Sequence, residues 1–85
     1  MDVKENVLRI IHSLEGFNEY SYDELQILNY VDEQLFDSIT FVSLIVELEK
    51  EFNICIHNES MFIEDFSTIN HICNLVLSCL KKDDM

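Results

Sequence analysis

The sequence has a single glycine, Gly16, and no proline, and this scarcity limits the folds open to it more than any other feature. β-Sandwiches and barrels need frequent tight turns, and those turns depend on glycine and proline. Apolar residues make up 48% of the 85 residues, which is enough for one small core. We therefore expect a single all-α domain over residues 1–85.

The first helix is predicted over residues 2–15. Its apolar side chains recur at helical spacing, at Val3, Val7, Ile10, Ile11 and Leu14. Asp2 and Glu5 can form a capping box at the start. Gly16 follows the last periodic residue, where a left-handed backbone ends many helices.

Residues 16–37 form a long loop with no clean period and an acidic composition. The segment 17–37 has six acidic and no basic residues, which is half of the net charge of −12. A loop this long is expected to be functional or to carry a helical turn of its own. The residues predicted to anchor it to the core are Leu25, Ile27, Leu28 and Val31.

Residues 38–52 predict the most apolar helix, with apolar side chains on two faces. The core face is formed by Phe41, Leu44, Ile45, Leu48 and Phe52. The second face, which we call the apolar stripe, consists of Ile39, Val42 and Val46, centred more than about 100° from the first. We expect a partner to cover the stripe, because one domain core cannot bury both faces.

Two further helices are predicted, a short one over 61–66 and a long one over 68–81. Ser67 with Asn70 can cap the last helix, and Lys81 suits the negative end of its dipole. Together the segments predict a four-helix bundle of three long helices and one short one.

Charge and hydropathy exclude several classes of partner. Five basic against seventeen acidic residues give a net charge of −12, and such a field repels nucleic acid and anionic membranes. No apolar run approaches the roughly 20 residues of a membrane span, and the N-terminus lacks a signal-peptide pattern. We expect a cytoplasmic protein, and self-repulsion favours a monomer.

Metal binding and catalysis find no support in the motifs. The cysteines at 55, 73 and 79 include no C-x-x-C pair, and we interpret them as small core residues in a reducing compartment. The three histidines lack paired spacing, and the segment starting at Asp32 lacks the glycine and final glutamate of a calcium loop. With no nucleophile motif and no glycine-rich phosphate loop, the chain is not expected to be an enzyme.

The pair Asp37–Ser38 is the strongest candidate site. A serine at a helix start often serves only as a cap. Here a long loop presents Ser38, and the apolar stripe begins one residue later. The free amides and positive dipole end of the helix would also favour a phosphate on its hydroxyl.

At these residues the chain resembles the acyl carrier and peptidyl carrier protein family, whose signature is Asp-Ser-Leu before an apolar helix that ends in Glu-x-x-Phe. The matching residues are Asp37, Ser38, Ile39, Val42, Leu44, Ile45, Leu48, Glu49, Phe52, Ile54, Ile56 and Phe66 to Ile69. The resemblance covers essentially the whole chain. It implies a four-helix carrier fold.

The resemblance also implies a function and its residues. Ser38 would carry 4′-phosphopantetheine, whose terminal thiol holds an acyl or aminoacyl group as a thioester, and Asp37 would assist attachment by helping place magnesium. The implied partners are a phosphopantetheinyl transferase, a loading ligase or synthase and downstream transferases. The residues assigned to partner binding are the apolar stripe, Ile39, Val42 and Val46, together with Glu49.

Departures from the family pattern point to a specialised carrier. Leu35 stands where the family usually has glycine, and Thr40 and Ser43 stand where carriers of fatty acid synthesis usually have acids. Residues 38–52 hold one base and three acids, 1 − 3 = −2. The alternative hypothesis is an acidic helical adaptor that binds a partner through the apolar stripe without a prosthetic group, with Ser38 only a cap.

Overall fold

A computed structural model describes residues 2–56 and 63–83, and all regular structure in these ranges is helical. In chain order the elements are α1 (Val3–Ser13), α2 (Tyr22–Ile27), α3 (Ser38–Phe52), a 3₁₀ turn (Ile63–Phe66) and α4 (Ile69–Asp83). The predicted all-α fold with three long helices and one short one is confirmed.

Helix α1 is central to the bundle. It packs against α2, α3 and α4, while α4 also contacts the 3₁₀ turn. The largest fully buried side chains come from every part of the fold: Tyr30, Phe66, Ile11, Leu25, Leu44, Leu48, Ile69, Ile72, Val7 and Val76. One continuous core therefore joins the four helices and the long loop.

The short α-helix lies in a different place from the one predicted. Residues 63–66 form a 3₁₀ turn, and residues 61 and 62 of the predicted short helix lie outside the described residues. The short α-helix is α2, inside the segment assigned to a loop. Helix α2 has only six residues and one buried side chain, Leu25, so hydrophobic periodicity could not reveal it.

A capping box starts α2. The Ser21 hydroxyl accepts a hydrogen bond from Glu24 N at 3.1 Å, and the Glu24 carboxylate accepts one from Ser21 N at 3.0 Å. This Ser-x-x-Glu pattern was the sequence signal for the helix. Of the predicted anchors, Leu25 is buried, Leu28 packs half-buried against the core and Val31 is half-buried. Ile27 is 84% exposed, so the prediction is wrong for that residue.

Tyr30 provides the main anchor of the long loop, which the sequence prediction missed. Its side chain is fully buried, and its hydroxyl donates to Leu25 O at 2.6 Å. Its backbone N–H donates to Ser67 O at 2.7 Å, and its carbonyl accepts from Leu35 N at 2.9 Å. These bonds fix the end of the loop against the segment that precedes α4.

The ends of the long helices differ from the predicted ends by at most two residues. Helix α3 spans the predicted residues 38–52, and Asn53 closes it with a left-handed backbone at φ 53°. Gly16 takes φ 92° after α1, as its position suggested. The N-terminal cap of α4 is Thr68, whose hydroxyl accepts from His71 N at 3.2 Å, and not Ser67 with Asn70.

Candidate functional site

Ser38 is the first residue of α3, and the residue that caps this helix is Asp37. Asp37 has an extended backbone, with φ −81° and ψ 178°, and its Oδ1 accepts a hydrogen bond from Thr40 N at 2.7 Å. Among the described residues, the Ser38 hydroxyl has no hydrogen-bond partner. The hypothesis that Ser38 is merely a helix cap is therefore wrong, because Asp37 takes that role.

The capping bonds also set the charge state of Asp37. The backbone N–H and the hydroxyl of Thr40 lower the pKa of the Asp37 carboxyl below its usual value, and the Ile39 N–H adds to the effect. Hydrogen bonds to a carboxylate favour its charged form. Asp37 is thus a fixed negative charge beside an exposed serine hydroxyl.

An aromatic cluster supports this corner of the molecule. Phe36 stacks on Tyr30 with ring centroids 4.9 Å apart and planes 11° apart. Phe41, on the first turn of α3, meets Phe66 edge to face at 4.8 Å. Such ring pairs stabilise beyond their buried area, so the backbone on both sides of Ser38 is anchored by packed rings.

Leu35 stands where the resemblance led us to expect glycine, and the backbone at this position does not require one. The left-handed residue of this segment is Gln34, at φ 53°, and Leu35 has no positive φ. Leu35 is free to pack its half-buried side chain against the core.

A cavity of about 270 Å³ adjoins Ser38, between the end of the loop and the start of α3. Its walls are formed by Tyr30, Val31, Gln34, Phe36, Asp37, Ser38 and Phe41. We call it the loop cavity. A second cavity of about 340 Å³, the α1–α3 cavity, lies on the other side of α3, along Leu14, Ile39 and Ser43.

The apolar stripe lies on the surface, as its spacing indicated. Ile39 is 79% exposed, Val42 59% and Val46 40%. Glu49, which was grouped with them for partner binding, already has an intramolecular role, because its Oε2 accepts a hydrogen bond from Ile56 N at 3.0 Å. This bond fixes the segment that follows α3 against the helix.

The other candidate groups form no site among the described residues. No three His, Cys, Asp or Glu residues in residues 2–56 and 63–83 are placed to hold a metal ion, and His57 lies outside these ranges. Cys55 is exposed, which contradicts its assignment to the core, whereas Cys73 and Cys79 are half-buried. None of the described helices has the length and hydropathy of a membrane span.

The comparisons with known proteins concern the region of the chain that contains Ser38. The family model for the phosphopantetheine attachment site matches residues 28–76, more than half of the chain. The D-alanyl carrier protein of Streptococcus suis strain 05ZYH33 is 39% identical over 82 residues, covering 94% of this chain and 98% of that protein. That of Lactococcus lactis subsp. lactis strain IL1403 is 34% identical over 82 residues, covering 96% and 99%. No solved structure matches the chain significantly.

Proposed function

Because this chain belongs to the phosphopantetheine-binding carrier protein family, we propose that it carries D-alanine as a thioester on an arm attached to Ser38. Family membership makes the chain a carrier with covalent 4′-phosphopantetheine as its cofactor. The cofactor supplies a thiol that forms the thioester. What we propose beyond family membership is the residue that holds the arm and the group that the arm carries.

The geometry at Ser38 supports attachment there. The side chain is exposed, and its hydroxyl is not used by the helix, since Asp37 accepts the capping bond from Thr40. A phosphodiester on this oxygen would lie at the start of a 15-residue helix, where the dipole stabilises negative charge. Asp37, held in its charged form, would help position a cation during attachment.

Two observations support D-alanine as the carried group. The relatives named as D-alanyl carriers match almost the full length of the chain. Helix α3 also has a net charge of only 1 − 3 = −2 and an exposed apolar stripe, in keeping with a specialised carrier.

The proposed partners follow from the steps that such a carrier needs. A phosphopantetheinyl transferase attaches the arm, a ligase loads D-alanine, and a downstream transferase removes it, while the chain itself is not a catalyst. We propose that the apolar stripe, which starts beside Ser38, is the surface that the loading ligase contacts. The monomeric state and the cytoplasmic location stay predictions from the sequence.

Intact-mass measurement tests the attachment site. After incubation with coenzyme A and a broad-specificity phosphopantetheinyl transferase, the wild type should gain one phosphopantetheine and Ser38→Ala none. Ser43→Ala, on the next turn of α3, is the matched control and should be modified like the wild type. Modification of Ser38→Ala, or none of the wild type, would contradict the assignment.

Loading of the modified protein tests the carried group. With ATP and a D-alanine-activating ligase, the mass should increase by one D-alanyl group, and hydroxylamine should remove it because thioesters are cleaved by this nucleophile. L-Alanine and a fatty acid with its own ligase serve as competitors. Preferential loading of a fatty acid would leave the carrier role intact but refute D-alanine as cargo.

A further inference from the structure

The loop cavity includes the proposed attachment residue in its own wall. Ser38 and Asp37 line it together with residues of the preceding loop, Tyr30, Val31, Gln34 and Phe36. An arm attached at Ser38 would therefore begin at the edge of this cavity. Its volume of about 270 Å³ is slightly below the range of about 300–1,000 Å³ typical of small-molecule sites, so it can hold only part of a long flexible group.

We propose that the part of the pantetheine arm next to the phosphodiester lies in the loop cavity when no partner enzyme is bound, while the thiol end stays outside. This inference rests on the proposed attachment at Ser38. It assigns to Gln34, Phe36 and Phe41 a role in holding the arm.

The chemistry of the cavity wall matches that part of the arm. Beyond its phosphate, pantetheine has a carbon bearing two methyl groups, followed by amides. Phe36 and Phe41 are half-buried rings that offer apolar contact for methyl groups. Gln34 also lines the cavity, and its side-chain amide can both donate to and accept from another amide.

Covalent attachment makes weak contacts sufficient. A group tethered through a short flexible link has a local concentration in the millimolar range, so contacts too weak to hold free pantetheine can still order an attached arm. Because the same contacts are weak, a partner enzyme can draw the arm out of the cavity.

The α1–α3 cavity is a poorer place for the arm, although it is larger. Ser38 does not line it, and Glu15 and Glu47 do. These two carboxylates would repel a phosphodiester more than the single one in the loop cavity, Asp37, which is already hydrogen-bonded to Thr40. Ile39 of the apolar stripe also lines that cavity, so an arm lying there would compete with the partner for the same surface.

NMR of the isotope-labelled protein before and after attachment of the arm tests the inference. We expect chemical-shift changes at Val31, Gln34, Phe36 and Phe41, and nuclear Overhauser effects between the methyl groups of the arm and the rings of Phe36 and Phe41. Residues that line neither cavity, such as Leu77 on α4, should not shift. Changes confined to Ser38 and its immediate neighbours, or centred on Glu15 and Glu47, would overturn the inference.

Gln34→Gly provides a variant that removes a wall side chain without straining the backbone, since glycine readily adopts φ 53°. The shift changes at Phe36 and Phe41 on attachment should fall by at least half. Asn53→Gly is the matched control, because Asn53 has the same φ of 53° but lies at the other end of α3. It should respond like the wild type.

Intact mass of the same samples separates this inference from the proposed function. If the arm is attached to Ser38 and the cavity residues do not shift, the carrier assignment stands and the docking of the arm is wrong. If no arm attaches at Ser38, both are wrong. If Gln34→Gly and Asn53→Gly alter the shifts equally, the loop cavity does not hold the arm.

Discussion

At the level of single residues, Asp37 links the stability of α3 to pH. Its pKa is lowered in the folded protein from an ordinary value of 3.8 by hydrogen bonds from Thr40. A carboxyl group with a depressed folded-state pKa contributes stability above its unfolded-state pKa. That contribution is lost as the pH falls through the folded-state pKa.

We therefore expect the Asp37 carboxyl to titrate below the ordinary aspartate value of 3.8 in a ¹³C NMR titration. Asp37→Asn should retain the cap, because asparagine caps helices about as well as aspartate. This variant should lose less stability on acidification than the wild type. A titration of Asp37 at or above 3.8 would contradict the capping geometry.

Tyr30 is the residue on which the long loop depends most. Burial, with a smaller contribution from Tyr20, raises the pKa of its phenol, so the hydroxyl stays protonated and keeps donating to Leu25 O. The same ring stacks on Phe36 beside the attachment site. Loss of the Tyr30 side chain should therefore lower the stability of the fold and disturb the ring packing beside Ser38.

Urea unfolding should show that Tyr30→Phe costs about 1 kcal/mol, the usual net value of one buried hydrogen bond. Tyr30→Ala should cost about 3–5 kcal/mol, since it removes a large buried ring. Tyr22→Phe is the control, because Tyr22 is 39% exposed and its ring contact with His12 is kept. Equal stability of Tyr30→Phe and the wild type would show that the hydroxyl bond contributes nothing.

At the level of secondary structure elements, α3 has two apolar surfaces, and substitutions on the two should have different effects. Leu44, Leu48 and Phe52 are buried in the core, whereas the apolar stripe is exposed. A charge placed on the stripe should affect partner binding and leave folding unchanged. Each fully buried apolar side chain contributes about 1.5–3 kcal/mol to an interface before association costs.

Val46→Asp should accordingly weaken binding of the loading ligase by roughly tenfold or more, with little change in melting temperature. Leu77→Asp is the matched control, since Leu77 on α4 is 43% exposed, close to the 40% of Val46, but lies off the stripe. Calorimetric titration of each variant with the ligase, at low and high salt, measures the two affinities. Affinity that collapses in high salt but is unaffected by Val46→Asp would show that carboxylates, and not the stripe, select the partner.

At the level of the whole molecule, the net charge of −12 destabilises the fold through self-repulsion. The charge is uneven, because half of it lies in residues 17–37 without a compensating base. The ion pair between Arg9 and Glu51 that joins α1 to α3 is exposed to solvent. Exposed pairs contribute at most about 1 kcal/mol, so this pair offsets little of the repulsion.

Added salt should raise the melting temperature, because screening weakens repulsion between exposed carboxylates. Sodium and magnesium chloride at equal ionic strength should act about equally in thermal unfolding followed by circular dichroism. A stoichiometric transition with micromolar calcium would contradict this non-specific effect.

The sequence by itself determined the helical class, the limits of α3 and the exposure of Ile39, Val42 and Val46. Helical periodicity is a local property, and the scarcity of glycine and proline argued against the competing β folds. The same local pattern pointed to Asp37–Ser38, through an acidic loop that meets an apolar helix. The function followed from the resemblance at these residues.

Only the tertiary structure decided the path of the long loop and the surroundings of Ser38. Tyr30 is buried because Leu25, Ser67 and Leu35 converge on it, and these contacts include residues more than 30 positions apart in the chain. The choice of Asp37 over Ser38 as the cap depends on an extended backbone set by that packed loop. The walls of the loop cavity all come from residues 30–41, but the shape of this stretch depends on distant residues, because Tyr30 is bonded to Ser67 and Phe41 packs on Phe66.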